Sequence, residues 1–242
     1  MSSKEESSIL HFAAGHDTAD LISKVVRARQ TFKVLGDPDE PVTFDAKHKS
    51  ACDAIVESAI KTSAWAPFHY DRGHDALAEP WRVDWLQTPV CRTIALQLSE
   101  WFDDVKPTNK LPAMLAGCGS LVLVSWLPQF ADSNTESTDA NLKRSQQQTD
   151  EEHLAATSAY VQNLLLILTA AGLGTYWSSG GQFRRPEMFE RLGMSHGGRL
   201  MAAVFVDYSN STSDGMERLA GKHRDRRCQQ GRWLRRVSSL EE

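Results

Sequence analysis

The sequence predicts a mixed helix-and-sheet domain, α/β or α+β, with one sheet and a long apolar helix laid against it. Three stretches carry that expectation. Gly119-Ser-Leu-Val-Leu-Val-Ser-Trp-Leu127 and Arg199-Leu-Met-Ala-Ala-Val-Phe-Val-Asp-Tyr208 are short continuous apolar runs, the mark of strands buried on both faces. The third is Thr149 to Gly181, the most apolar segment of the chain. There Thr149 and Glu152 read as a capping box, Asp150 and Glu151 suit the positive end of a helix dipole, and Gly172 or Gly174 supplies the stop. Leu154, Tyr160, Val161, Leu164, Leu165, Ile167 and Leu168 cover nearly the whole circumference, so a buried central helix is expected. Thr157, Ser158, Gln162, Asn163 and Thr169 interrupt the run and argue against a membrane span.

In chain order, residues 1–17 are polar and acidic, read as a flexible arm, and lack the apolar region of a signal peptide. Leu21, Ile22, Val25 and Val26 fall at helical spacing, and Gly36-Asp-Pro38 breaks the chain. Asp45 caps a second amphipathic helix through Cys52, Ile55, Val56, Ala59 and Ile60, which stops before Ala66-Pro67. A histidine-rich and charged loop follows. Trp81 to Leu86 alternates like a strand, and residues 89–104 return to helix. Residues 129–148 are polar and nearly free of apolar side chains, which predicts a mobile loop. Thr175-Tyr-Trp177 is strand-like, and a short helix spans Pro186 to Leu192. Residues 18–242 therefore read as a single domain.

Composition narrows the function classes. The 242 residues are 41% hydrophobic and 24% charged, ordinary for a globular chain, and the formal charge of −4 gives no basic field for nucleic acid or an anionic membrane. Cys52, Cys91, Cys118 and Cys228 are far apart, suggesting neither a disulfide framework nor a thiolate zinc site, and a reducing cytoplasm fits. His69 and His74, with Asp71 and Asp75, lack the spacing of a metal site. Ser120, Ser178 and Ser179 are in no G-x-S-x-G elbow.

Two features remain. Ser178-Ser-Gly-Gly181 is either a simple corner or a place where bare backbone lets a flat ligand approach closely. The basic pairs Arg29/Lys33 and Lys222/Arg224 are either solvated surface or, together, a clamp for one phosphate dianion.

Four stretches resemble one family. Arg29-Gln30-Thr31-Phe32-Lys33-Val34-Leu35 is similar to the R-x-S/T-x-R/K-x-F segment that opens the FMN-dependent nitroreductases. Ala66-Pro67 and then Glu79-Pro80-Trp81-Arg82-Val83 resemble its A-P-S and N-x-Q-P-W-x-F segment, with E-P-W as in the iodotyrosine-deiodinase-like branch. Gln162-Asn163-Leu164-Leu165-Leu166 through Gly172-Leu173-Gly174, followed by Trp177-Ser178-Ser179-Gly180, resembles the central helix and flavin-edge turn. Lys222-His223-Arg224 resembles the late K-x-R phosphate clip.

The resemblance implies an α+β nitroreductase-like fold: a mostly antiparallel sheet packed by helices around the long central helix, in an interlocked homodimer with FMN at the subunit interface. Carried over, Arg29, Lys222 and Arg224 hold the phosphate, and Gln30 and Thr31 lie near the ribityl-phosphate chain. Lys33 sits by flavin N1 and O2, where a cation stabilises the reduced anionic ring. Trp177 and the backbone of Ser178 to Gly180 face the ring edge. The implied activity is ping-pong hydride transfer from NADH or NADPH to a nitroaromatic- or quinone-like acceptor. In this chain the 67–80 loop is longer than usual, Leu77 stands at the position of the flavin-contacting Asn, and Glu79 replaces Gln. An ionised carboxylate there opposes an anionic flavin. The alternative is a degenerate FMN-binding dimer without NAD(P)H oxidoreductase activity.

Overall fold

A computed structural model describes residues 16–72, 78–106, 108–129, 140–194, 197–209, 217–221 and 235–237. Its elements are α1 (His16–Ala28), β1 (Phe32–Leu35), α2 (Ala46–Ser63), β2 (Trp81–Gln87), α3 (Thr88–Trp101), α4 (Leu111–Gly117), β3 (Ser120–Trp126) and α5 (Ala140–Ala170). β4 (Gly174–Ser178), a 3-10 turn (Gly181–Arg184), α6 (Pro186–Leu192), β5 (Arg199–Asp207) and β6 (Glu217–Ala220) follow. The fold is α+β. Four antiparallel strands in the order β2-β3-β5-β4 form the main sheet, and β1 and β6 form a second antiparallel pair. A single parallel bridge between Thr31 and Thr175 links the two sheets.

The apolar runs of β3 and β5 are continuous because helices cover both faces of the sheet. Leu121, Leu123, Ala203 and Phe205 point into one cluster with Ile94, Leu98, Leu115, Phe183 and Met188 from α3, α4, the 3-10 turn and α6. Val122, Val124, Ala202, Val204 and Val206 point the other way, against Val56 and Ala59 of α2 and Val161, Leu164 and Leu168 of α5. The alternation breaks once. Val124 pairs with Ala202 and Ser125 with Leu200, so Met201 is the extra residue of a β-bulge.

Asp45 caps α2, its carboxylate accepting from the amides of Lys47 and His48 at 3.0 and 3.1 Å. α5 differs from expectation in two respects. It starts at Ala140, so Thr149 is interior rather than a cap: its hydroxyl bonds the Ser145 carbonyl at 3.1 Å. Residues 140–148, expected as loop, are helix; a run without apolar residues can still be helical when it is polar throughout and faces water. Residues 130–139 of that expected loop lie outside the described ones, as do residues 1–15 of the expected arm, whose last two positions start α1.

The second difference is burial. Tyr160, Val161, Leu164, Leu165 and Leu168 are at most 1% exposed, whereas Leu154 is 38% exposed and Gln162 is exposed, so one flank of α5 faces outward from this chain. The polar residues that interrupt the apolar run are satisfied within the helix: Thr157, Ser158 and Thr169 donate to carbonyls one turn back at 2.9, 2.9 and 2.7 Å. Gly172, at φ 82°, terminates the helix.

Two buried phenols tie the layers. Tyr160 donates to the Ile60 carbonyl of α2 at 3.0 Å. Tyr208, just past β5, donates to Asp53 Oδ1 of α2 at 2.8 Å and lies 3.1 Å from the Ser120 hydroxyl of β3. Burial pushes both phenols well above their ordinary pKa.

Candidate functional site

An open cleft of about 410 Å³ lies where the two sheets meet the exposed flank of α5. Arg29 and Thr31 line one part of it, from the segment joining α1 to β1; Trp177 and Ser179 come from β4 and the turn after it. Residues well over a hundred positions apart in the sequence are brought together by the Thr31–Thr175 bridge, which sets β1 beside β4. The Arg29 amide closes α1 by bonding the Val25 carbonyl at 3.0 Å, which fixes where that side chain leaves the helix.

Three further lining residues, Gln162, Leu165 and Met201, were not singled out as site residues by the sequence. Met201 reaches the cleft because the β5 bulge re-aims it, and the Ser158 hydroxyl contacts its Sδ at 3.8 Å. A strict period-two reading of the strand cannot foresee this. Gln162, at the start of the stretch that resembles the family's central helix, is an exposed polar residue beside the buried Val161, Leu164 and Leu165.

The remaining expected residues are placed as follows. Ser178 is half-buried, and its hydroxyl accepts from the Gly180 amide at 3.2 Å. Gly180 is required by geometry: its φ is 101°, and a Cβ would lie 2.4 Å from Leu200 Cδ2. Gln30 is half-buried and does not line the cleft. Lys33 also lies outside the lining; its ammonium sits 4.5 Å from the centroid of Tyr176, a ring stacked in turn on Phe205. Lys222 and Arg224 fall outside the described residues. The residue before them, Gly221, donates to the Thr31 carbonyl at 3.0 Å, so the chain leaves β6 beside the Arg29–Thr31 wall.

The donor set fits a molecule with an anionic end and a flat end. Arg29 is the one charged lining residue among those described, Thr31 adds a hydroxyl, and Trp177, Leu165 and Met201 offer an apolar and aromatic wall. Among the described residues the lining holds no cysteine, histidine, lysine or carboxylate. Among the described residues no group of three or more His, Cys, Asp or Glu could hold a metal ion, and no helix is long and apolar enough to cross a membrane. His74 and Asp75 lie outside those residues.

The sequence model of the Nitroreductase family matches residues 47–207. No protein of curated function matches this chain. Among solved structures the chain is similar to a nitroreductase-like family protein from Bacillus cereus, with a TM-score of 0.53 and 18% identity over 80% of this chain and 88% of that one. It is similar to nitroreductase CinD from Lactococcus lactis, solved in complex with nicotinic acid, with a TM-score of 0.53 and 12% identity over 85% and 97%. A nitroreductase with bound FMN from Bacteroides fragilis aligns with a TM-score of 0.47 and 15% identity over 79% and 90%. At these identities structural likeness speaks to the fold, whereas the family match runs from the first turn of α2 to the end of β5, more than half of the sequence. The chain belongs to the nitroreductase family of oxidoreductases.

Proposed function

We propose that the protein is an FMN-dependent oxidoreductase that works by ping-pong, taking a hydride from NADH or NADPH and passing it to a flat electron-poor acceptor of nitroaromatic or quinone type. The observation that carries this reading is the convergence of Arg29, Thr31, Trp177 and Ser179, residues expected for the cofactor, on one cleft. Arg29 and Thr31 lie outside the span matched by the family, so their place in the cleft is an observation separate from that match.

When bound, FMN supplies the hydride chemistry. The chain contributes orientation and charge. Arg29 offers a guanidinium fork to the phosphate, and Lys222 and Arg224, assigned to the same clamp by the resemblance, come directly after Gly221 in the sequence. Gln30 and Thr31 serve the ribityl-phosphate chain. Trp177 provides a wall for the ring, and the backbone of Ser178 to Gly180 faces the ring edge, with Gly180 allowing the turn to pack closely on Leu200. Lys33, close by on β1, raises the local positive charge that favours a reduced anionic ring.

The protein acts as a homodimer. Leu21, Ile22 and Val26 on α1 are 62, 58 and 44% exposed, an apolar stripe on an amphipathic helix that a second copy would bury along with the outward flank of α5. The working environment is the cytoplasm, where Cys52, Cys91 and Cys118, all free, stay reduced.

The test is an absorption spectrum of the purified protein with FMN, before and after anaerobic NADPH and then NADH. Flavin bands that bleach support the reading. Bands that persist favour a degenerate FMN-binding protein, and a colourless protein refutes the flavin assignment.

A further inference from the structure

Two core cysteines lie against each other on the side of the main sheet away from α2 and α5. Cys91, in the first turn of α3, and Cys118, which ends α4, are 0 and 1% exposed, and their side chains are within hydrogen-bonding reach of one another. Both are free thiols. No C-x-x-C or other local spacing announces the pair, which the packing of α3 on α4 creates.

The third member of the cluster is Arg92. Its guanidinium reaches the Cys118 sulfur, donates to the carbonyls of Leu115 and, at 2.9 Å, of Val42, and stands 5.9 Å from the centroid of the Phe44 ring. Among the described residues no carboxylate forms an ion pair with it. Carbonyls solvate a guanidinium without neutralising it, and burial works against its charge. The ionisable groups that Arg92 meets are Cys118 and Cys91.

The two thiols are therefore unequal. The hydrogen bond from Cys91, with the Arg92 charge adding to it, holds the Cys118 thiol below its usual value in spite of burial. The same bond, and then burial, push Cys91 up. One sulfur is prepared as a nucleophile while its neighbour keeps its proton. Cys52 is the contrast: it is buried too, and burial and then the carboxylates of Asp53 and Asp207 push its thiol up.

We infer that Cys91 and Cys118 are a redox-modification site, which closes a reversible disulfide between α3 and α4 when the protein meets a hydroperoxide. The Cys118 thiolate attacks the peroxide, an S–O bond forms as the O–O bond breaks, and the leaving oxygen takes up a proton to depart as water or an alcohol. The Cys91 sulfur then attacks the resulting sulfenic acid; the S–S bond forms, the S–O bond breaks, and the hydroxide leaves with the Cys91 proton as water. Two thiols thus give up two electrons, and one hydroperoxide is reduced. The sulfurs need to approach by only about 1–2 Å to reach the disulfide length of about 2 Å. The site does not rest on the flavin reading.

Treating the folded full chain with hydrogen peroxide, alkylating the remaining thiols with iodoacetamide in denaturant, and measuring intact and peptide masses tests it. The expected product, before alkylation, is about 2 Da lighter than the reduced chain, the two hydrogens lost. Cys91 and Cys118 should appear as one linked peptide pair, Cys52 should be alkylated, and dithiothreitol should restore every thiol. Cys91→Ser should stop at a Cys118 sulfenic acid that dimedone traps, and Cys118→Ser should react at Cys91 at least about tenfold more slowly. Cys91 and Cys118 left fully alkylatable, gains of about 16 Da per oxygen at either cysteine of the wild type without a link, or a link made through Cys52 or Cys228 instead would each overturn the inference.

Discussion

Replacing Gly180 by alanine tests whether the turn after β4 is built as described. The backbone there has φ 101°, and the added Cβ would stand 2.4 Å from Leu200 Cδ2. A left-handed conformation costs a non-glycine residue about 1–2 kcal/mol, and forcing a methyl into an occupied space costs about 1–3 kcal/mol more. Leu200 is 3% exposed within the core, so it cannot simply swing away. The sum is about 2–5 kcal/mol. With a urea dependence of about 3 kcal/mol per molar for a chain of this size, the unfolding midpoint should fall by about 1 M. Gly181→Ala is the control: its φ is 55° and nothing lies within 4 Å of the added Cβ, so only the conformational part, about 1–2 kcal/mol, remains. Leu200→Ala combined with Gly180→Ala should show a favourable coupling, because the clash then has no partner. Equal midpoints for Gly180→Ala and Gly181→Ala would refute the close packing of this turn. The same turn borders the cleft, so Gly180→Ala should also weaken FMN binding.

Three other outcomes are expected. Arg29→Ala should weaken FMN by at least about tenfold, the loss of one charge-assisted phosphate contact, yet leave riboflavin affinity unchanged; equal losses for both ligands in fluorescence titrations would remove Arg29 from the phosphate. Tyr208→Phe keeps the ring but strips the hydroxyl from Asp53 and Ser120, and should cost about 1.5–3 kcal/mol in urea unfolding; a change under about 0.5 kcal/mol would show that water replaces the bond freely. Because burial raises the Tyr160 and Tyr208 pKa above the ordinary value of 10.0, the folded state retains protons that the unfolded state releases. Their contribution is fully present below pH 10 and is lost as pH rises through the folded-state values, at about 1.4 kcal/mol per pH unit for each phenol. Tyr160→Phe should reduce the alkaline slope in urea titrations, to which the buried Cys52 and Cys91 thiols, raised by burial and neighbouring groups, also contribute, and an unaltered slope would count against its burial.

Much of this molecule was legible before any coordinates. Periodicity located α2, β2, β3 and β5 to within a residue or two, because helices and strands covered on one or both faces must write their burial into the sequence. Asp45 announced its helix through its own side chain. The pieces that escaped were those with no local signature. β1 and β6 are four residues each and exist only because they pair with one another. α4 is seven residues long and reads as an apolar patch. The first nine residues of α5 look like loop, since an exposed polar helix shows no hydrophobic stripe.

The candidate site divides along the same line. The resemblance to the nitroreductases pointed to Arg29, Thr31, Trp177 and Ser179, whereas residue types alone left Arg29 open between solvated surface and a phosphate clamp, and Ser178 to Gly181 open between a simple corner and a ligand approach. Only the tertiary structure decided that they share a cleft, since the Thr31–Thr175 bridge joins segments that lie far apart in the chain. It alone placed Met201 there through a bulge, and parked Lys33 on Tyr176 outside the lining. A residue's chemistry is local and can be read from its letter; its neighbours are set by packing over the whole chain, and no local pattern encodes them.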